Sequence, residues 1–316
     1  MKSMIRGACH VLSAALVACA TTGAALAGAP LPYDAVMPAP DSTIVMVYDE
    51  YAHADAKYGA DGQRTANLDV QTNISMVRIA HNFKRLQNGS QIGAQLLLPY
   101  VHFLGSPSQD GHALSFGSGF AEPEFSVYAK LLHDPAIGQV VTAGLFLSPP
   151  IGSYEVGQTL NASSNNWVGD LQLGYLRRIA RLSGGRSLAL NVWGDAYFYG
   201  PNTDAAIPTA HGRLVGTMHT HPAGRLLVYL PYYFHPGTSG YIGLRAEQTF
   251  GGAQDFEVGG RSIDTGKRNE VTRVGLIAGT RLGRRYFMQA SLSTDVRVRS
   301  GAADTIDAVI QFGRRF

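Results

Sequence analysis

Residues 286–316 read YFMQASLSTDVRVRSGAADTIDAVIQFGRRF, and the alternation in this stretch decides the fold. Apolar and polar side chains alternate along it in two runs, which are separated by a turn signal at 300–303. This period of two predicts a strand hairpin with one apolar and one polar face. The polar face carries charged side chains, among them Asp295, Arg297 and Asp307. Such a charged face suits the water-filled interior of a membrane barrel better than the dry core of a soluble β-sandwich, which is the alternative fold.

The composition fits a sheet that exposes apolar side chains to lipid. The mean hydropathy is −0.01, 16% of residues are charged, and the chain of 316 residues contains 37 glycines. After the N-terminal segment, no uninterrupted apolar run reaches the roughly 18 residues expected of a transmembrane helix. Such a chain can cross a membrane only as a closed sheet, because an open edge would leave backbone groups unpaired in hydrocarbon.

The N-terminus has the three parts of a secretory signal peptide. Lys2 and Arg6 precede an apolar, Ala-rich run, and the small-x-small site at 25–27 places the cleavage before Gly28. Lipoprotein processing at Cys19, which follows Leu-Val-Ala, is the alternative. Either route exports the protein from the cytoplasm. The predicted segments are a signal peptide at 1–27, a flexible N-terminal leader at 28–41 and an outer-membrane β-barrel at 42–316.

Strand patterns follow one another from Ser42 to the end of the chain, without any helical periodicity. Most of the connections alternate between short and long, as they do in outer-membrane barrels with short periplasmic turns and long external loops. We predict an all-β fold, a transmembrane antiparallel up-and-down β-barrel of about 12 strands. The longest loop, 200–224, has room for an extra strand. A barrel of this size should have a narrow pore, which the Pro-rich leader or the long loops could plug.

Side chains on the polar faces of these strands are expected to line the lumen. They mix both signs of charge, which predicts no strong selection between anions and cations. Tyr128 and Trp193 lie in the middle of strands, where they suit contact with an apolar or aromatic solute. The candidate lumen-lining residues are Asn67, Asp69, Gln71, Asn73, Glu124, Tyr128, Lys130, Asp170, Trp193, Asp195, Arg245, Glu247, Asp295 and Arg297.

Residues that could carry chemistry are few. His211, His219 and His221 are close in sequence, but His219 and His221 supply only two of the three or four ligands that a zinc site needs. No Ser-His-Asp combination is indicated either, although such triads are recognised by geometry. We therefore predict no enzymatic activity, no catalytic residues, no metal and no cofactor. The near balance of 26 basic and 23 acidic side chains also predicts no nucleic-acid partner.

Several loop segments resemble one known family. Residues 117–124 read GSGFAEPE, which resembles the Gly-x-Gly-Asp-Pro element of the MetA-pathway-of-phenol-degradation family. PPIGSY at 149–154, followed by NNW at 165–167, is similar to a second element of that family, and YGPNTD at 199–204 to its next loop. The resemblance covers nearly all of the chain after the signal peptide. Residues 121–122 depart from it, because Ala-Glu stands where Asp is usual.

The resemblance implies an outer-membrane barrel that is linked to the degradation of aromatic compounds and passes hydrophobic substrates inward. Together with the mixed polar and aromatic lumen, it predicts an outer-membrane channel of a Gram-negative cell for small hydrophobic or aromatic compounds. Transport should be passive, since the sequence contains no nucleotide motif and no energy-coupling plug domain. The alternative is a structural or surface-binding barrel that works through its long external loops. The expected partners are membrane lipid, the solute and the outer-membrane assembly machinery, for which the C-terminal Phe316 resembles the recognition signal.

Overall fold

The computed structural model describes residues 29–34, 40–87, 89–209, 212–234 and 240–316. Twelve long strands form one closed antiparallel sheet, which confirms the predicted fold class. These strands are β1 (Ser42–Tyr58), β2 (Arg64–Arg85), β3 (Gln91–Gln109), β4 (Glu124–Asp134), β5 (Gln139–Ser148), β6 (Val168–Arg181), β7 (Ser187–Tyr199), β8 (Ala223–Tyr233), β9 (Gly240–Gly251), β10 (Glu270–Leu282), β11 (Tyr286–Arg299) and β12 (Gly301–Arg315). The predicted signal peptide lies outside the described residues.

Shorter elements lie in the connections between these strands. The short strands are His112–Ala113, Phe116–Gly117, Gly119–Phe120, Leu160–Asn161, Asn202–Thr209, Gly212–Thr220, Gln254–Val258 and Arg261–Asp264. A 3-10 turn covers Ser183–Gly185. Within the described ranges, no helix is long and apolar enough to cross a membrane.

The barrel closes because each long strand pairs with its neighbours in chain order and β12 also pairs with β1. The register between β1 and β12 runs from Ile44 opposite Arg315 to Tyr58 opposite Gly301. The connections that follow β2, β4, β6, β8 and β10 lie at one end of the barrel, which we call the turn end. The opposite end carries the long connections and is called the loop end. In outer-membrane barrels the end with short turns faces the periplasm.

The outer surface of the barrel is apolar, and the final hairpin has the predicted orientation. Tyr286, Met288 and Leu292 point outward and are 37, 42 and 56% exposed. Gln289 and Ser293 alternate with them and are buried inside the barrel. Exposed apolar side chains continue around the outer surface at Phe125, Val127, Leu145, Leu147, Leu171, Leu173, Leu226, Leu244, Leu276 and Ile310. A closed sheet with an apolar outer belt is a transmembrane barrel and excludes the soluble sandwich.

A small sheet rises from the loop end. Its strands pair in the order Asn202–Thr209, Gly212–Thr220, Gln254–Val258 and Arg261–Asp264. Ile207 and Phe256 are 2 and 0% exposed and form the centre of a separate apolar core. The loop at 200–224, in which the sequence allowed one extra strand, therefore contains two.

Candidate functional site in the barrel lumen

Residues 29–34 of the leader lie inside the barrel. Leu31 and Tyr33 are 2 and 7% exposed, and both belong to an apolar cluster with inward-facing side chains of β5–β10. The Tyr33 ring meets the Tyr241 ring edge-on, with 5.0 Å between the ring centroids. Residues 29–34 of the leader therefore fill part of the lumen. The sequence allowed either the leader or the long loops as a plug, and here the leader takes this place. This buried packing concerns residues 29–34 of the predicted leader, and residues 28 and 35–39 lie outside the described residues.

Two polar contacts anchor the leader to the barrel wall. The Asp34 carboxylate lies 3.1 Å from Arg78 Nη1, and the two side chains are 7 and 17% exposed. The Tyr33 N–H donates a hydrogen bond of 2.9 Å to Gln289 Oε1. Arg78 also donates to the Tyr48 hydroxyl over 3.0 Å. Because Arg78 holds both the leader and β1, displacement of the leader must break a buried ion pair.

Three further arginines are paired with carboxylates on the inner face of β7–β12. Arg225 Nε lies 2.8 Å from Asp195 Oδ2, and both side chains are at most 4% exposed. Arg245 Nη2 lies 2.6 Å from Glu247 Oε2. The third arginine, Arg273, contacts Asp295 at 2.7 Å, Asp304 at 2.6 Å and also Asp307. Buried charges need close partners of opposite sign, and here each arginine has at least one.

The inner face of β1–β3 is largely apolar toward the loop end. Its buried side chains are Ala54, Leu68, Val70, Ile74, Val101 and Phe103, and Leu160 packs with them from a loop. The lumen therefore has a charged wall on β7–β12 and an apolar wall on β1–β3. An apolar solute can contact hydrocarbon along one side of this lumen while the other side stays polar.

Nine of the fourteen candidate lumen-lining residues point into the barrel. They are Glu124, Tyr128, Lys130, Asp170, Trp193, Asp195, Arg245, Glu247 and Asp295. Several of them hold the wall together: the Tyr128 hydroxyl donates to Asn82 Oδ1 over 3.2 Å, and Gln172 Nε2 donates to Asp195 over 2.8 Å. These residues lie on the inner faces of β4, β6, β7, β9 and β11.

The prediction for Asn67, Asp69, Gln71 and Asn73 was wrong, because these residues lie on the outer face of β2. The apolar residues that alternate with them point inward and join the apolar wall. The strand has 22 residues, whereas about 9–11 are enough to cross a membrane. Its loop-end half therefore extends beyond the lipid, where the outer face meets water. The polar side chains bond to each other and to β1, and Asn73 Nδ2 donates to Asp49 Oδ1 over 2.5 Å.

Arg297 is likewise exposed rather than lumen-lining. The pairing of β10 with β11 has a register shift, so that Arg273 pairs with Asp295 while the adjacent Thr272 pairs with Arg297. The extra residue of this bulge reverses the alternation of β11. As a result Val298 is buried, at 5% exposure, and Arg297 points away from the lumen.

Sequence reasoning missed several residues of the lumen, among them Tyr33, Asp34, Arg78, Arg225 and Arg273. The sequence did indicate Arg78, since it is the charged residue on the mostly apolar inner face of β2. A buried charge in such a position needs a partner from elsewhere in the chain. Arg273 had no such signal, because its carboxylate partners come from other strands that only the closed barrel brings together.

Two cavities are bordered by inward-facing side chains of the barrel, and the leader lines the first of them. The first has a volume of about 460 Å³, and its lining includes Tyr33, Asp34, Met46, Arg78, Tyr128, Phe146, Gln172 and Trp193. The second has a volume of about 440 Å³, and its lining includes His133, Val140, Leu176, Arg178, Ala189 and Tyr233. Both volumes fall within the range of small-molecule pockets, which is roughly 300–1,000 Å³.

The histidines considered for metal binding lie in the loop-end sheet. His219 Nε2 lies 3.2 Å from Glu257 Oε2, and His221 Nε2 lies 2.8 Å from Asp255 Oδ2. His211 lies outside the described residues. In the part of the chain that the structure describes, no three His, Cys, Asp or Glu side chains are placed to hold a metal ion.

A closed barrel of twelve strands, with an apolar outer belt and ligand-sized cavities inside, is a protein of the Gram-negative outer membrane. Residues 54–304 match the family described as "Putative MetA-pathway of phenol degradation", and the chain belongs to this family. The resemblance seen in the loop segments is thereby confirmed.

Solved outer-membrane barrels have similar folds. The crystal structure of the COG4313 outer membrane channel from Pseudomonas putida F1 has a TM-score of 0.76 at 20% identity, covering 91% of this chain and 100% of that chain. The transport unit of the autotransporter AIDA-I from Escherichia coli has a TM-score of 0.52 at 7% identity, covering 97 and 99%. The β domain of the Bordetella autotransporter BrkA has a TM-score of 0.50 at 12% identity, covering 88 and 100%. Among curated proteins, no sequence matches this chain.

Proposed function

We propose that the protein is a passive outer-membrane channel for small hydrophobic or aromatic compounds. The observation that carries this proposal is the cavity of about 460 Å³, which is walled by Tyr128, Phe146 and Trp193 and bordered by the leader. A dry protein cavity of about 150 Å³ already holds one benzene molecule, so this cavity has room for an aromatic solute. The family's link to phenol degradation and the fold shared with an outer-membrane channel support the same function.

Glycines shape the wall of this cavity. Tyr128 lies against Gly93, and Trp193 lies against Gly174, so closely that a Cβ atom on either glycine would overlap the ring. Each ring and its glycine are direct register partners on neighbouring strands. The rings therefore lie flat against the wall instead of projecting into the lumen. This arrangement leaves open space in which a solute can contact aromatic surface.

Passage through the barrel requires the leader to move. The leader is held by the Asp34–Arg78 ion pair, the Tyr33–Gln289 hydrogen bond and apolar packing. Tyr33 and Asp34 also line the cavity, so a bound solute would contact the leader directly. The open state is the one in which the leader is displaced from the lumen. A solute favours this state only if it binds there more tightly than beside the leader. Relief of crowding between solute and leader would provide this difference in affinity.

Uptake by intact cells tests the proposal. A strain that lacks the gene should take up radiolabelled toluene and phenol more slowly than the same strain carrying the gene on a plasmid. A strain that expresses an unrelated porin at equal level controls for general damage to the outer membrane. Equal uptake with and without the protein would contradict the channel function.

Surface binding through the loops is the second candidate function, and the loop-end sheet with its own core around Phe256 favours it. Deletion of residues 202–220 distinguishes the two functions. A channel should keep its uptake activity after this deletion, whereas a loop-dependent binding protein should lose its ligand. Neither function requires catalysis, and we propose none for this protein.

We also propose that the outer-membrane assembly machinery recognises the C-terminal residue. Phe316 is 61% exposed, and its N–H donates to the Thr43 carbonyl over 2.8 Å. Phe316→Ala should reduce the amount of folded barrel in the outer membrane of cells. The same variant should still refold from urea into detergent, because the ring is exposed and loses only a surface cation–π contact with Arg314, at 4.5 Å from the ring centroid.

A further inference from the structure

The second cavity, at the turn end, combines cationic and apolar walls. It has a volume of about 440 Å³ and no acidic residue in its lining. Its cationic side chains are Arg178, Arg181 and Arg186, and His133 lies in the lining beside them. Its apolar floor consists of Val140, Leu176, Ala189 and Tyr233, which are 6, 8, 3 and 3% exposed.

The arginines of this cavity differ from those deeper in the lumen. Arg78, Arg225, Arg245 and Arg273 each form an ion pair with a carboxylate. The cavity's three arginines form no ion pair with any residue that the structure describes. Arg181 donates instead to the Ala136 carbonyl, and Arg186 Nε donates to the Ser183 carbonyl over 2.9 Å. These carbonyls are neutral, so the positive charges around the cavity are left without a counterion from the protein.

The first cavity shows the same distribution of charge. At the turn end it is lined by Arg281, Arg284, Arg285 and Arg315. Asp34 is the acidic residue in its lining, and this carboxylate is already paired with Arg78. Both cavities therefore end in a cationic rim on the side of the barrel that the short turns identify as periplasmic.

The floor of the second cavity belongs to the inner face of β5–β8. It is part of the cluster that also holds Leu31 and Tyr33 of the leader. A ligand on this floor is therefore reached from the lumen or from the periplasmic mouth, and not from the surrounding bilayer. It must have an apolar body to cover the floor and a negative charge to meet the arginines.

We propose that the turn-end cavity binds small organic acids, in which an ionised carboxylate is attached to an aromatic or other apolar body. Guanidinium groups bind carboxylates through paired, charge-assisted hydrogen bonds, which gives both strength and orientation. This inference rests on the proposed channel function and narrows its solutes to include aromatic acids. The cationic rim holds the carboxylate on the periplasmic side of the lumen.

Binding of three matched ligands to the purified full-length protein in neutral detergent tests the proposal. Benzoate has the ring and the charge, benzamide has the ring without the charge, and acetate has the charge without the ring. We expect calorimetry to detect benzoate binding that weakens as salt is raised, and at least tenfold weaker binding of the other two ligands. Equal binding of benzoate and benzamide, or of benzoate and acetate, would overturn the proposal.

Variants connect this binding to the cavity. The combined Arg178→Gln, Arg181→Gln and Arg186→Gln variant should weaken benzoate binding by about tenfold or more, because charge-assisted hydrogen bonds are lost. Arg261→Gln, at the loop end, is the control and should bind as the unaltered protein does. Unchanged affinity in a folded triple variant would overturn the assignment to this cavity. Because binding is measured without any membrane, a negative result here leaves the cellular uptake test of the channel function unaffected.

Discussion

Asp34 of the leader and Arg78 of β2 form a buried ion pair inside the lumen, with 3.1 Å between Oδ1 and Nη1. This pair joins the segment that fills the lumen to the wall of the barrel. Hydrogen bonds to charged groups contribute about 1.5–3 kcal/mol. Loss of the pair should therefore increase the population with a displaced leader by about ten- to hundredfold.

Arg78→Met should show this increase, because it removes the charged partner while keeping an apolar side chain of similar length. The measurement is the open probability of single channels in planar bilayers, and Asp34→Asn should shift it in the same direction. Arg299→Met removes an exposed arginine and is the control. An unchanged open probability in both Arg78→Met and Asp34→Asn would show that this ion pair does not hold the leader in the lumen.

Gly174→Ala should close the cavity in part. A Cβ at this position would overlap the Trp193 ring and the Thr142 hydroxyl, so the ring must swing into the lumen. Overpacking of this kind costs about 1–3 kcal/mol, and uptake of toluene should fall while the barrel still folds. Gly194→Ala is a matched control on β7, since its Cβ would have no neighbour within 4 Å. Equal uptake by the two variants would show that the Trp193 wall does not limit passage.

Arg273→Met should strongly destabilise the barrel. It leaves Asp295 and Asp307, whose side chains are 1 and 2% exposed, without their cationic partner. Breaking a buried ion pair costs about 3–5 kcal/mol. Urea unfolding in lipid vesicles should show this loss, whereas Arg297→Met should change little because Arg297 is exposed. Similar stabilities of the two variants would mean that the carboxylates of β11 and β12 do not need Arg273.

Phe256→Ala should unfold the loop-end sheet without unfolding the barrel. Phe256 is fully buried in a small core with Ile207 that is separate from the barrel clusters. Removing a buried Phe costs about 3–5 kcal/mol, more than so small a core can lose. Limited proteolysis should then cut within residues 202–220, while the heat-dependent gel shift of the barrel stays. Loss of the gel shift would show that the sheet and the barrel fold as one unit.

Most of the final hairpin was predictable from the sequence, because its alternation matches the lipid-facing surface along β12 and along β11 as far as the bulge. The outer face of β2 was not, because alternation gives two faces without saying which one is inside. Where a strand extends beyond the lipid, its outer face meets water and can be polar while its inner face is apolar. Asn73 on the outer face of β2 and Ile74 on its inner face show this arrangement. The exposure of Arg297 depends on a bulge, and a bulge leaves no mark in hydrophobic alternation.

The contents of the lumen were predictable only in outline. Proline and glycine in the leader suggested a plug, but its contacts join Tyr33 to Gln289 across most of the chain length. The pairing of Asp34 with Arg78 likewise depends on closure of the barrel, which brings the leader and β2 together. Local sequence patterns cannot specify such contacts, since they arise from the tertiary fold.

The conductance of a variant that lacks residues 29–34 tests the central claim most directly. The claim is that the lumen is the route of passage and that the leader closes it. In planar bilayers we expect the deletion variant to conduct steadily, whereas the unaltered protein should be closed for most of the time. Equal conductance of the two proteins would contradict the claim, provided that the heat-dependent gel shift shows the deletion variant to be folded.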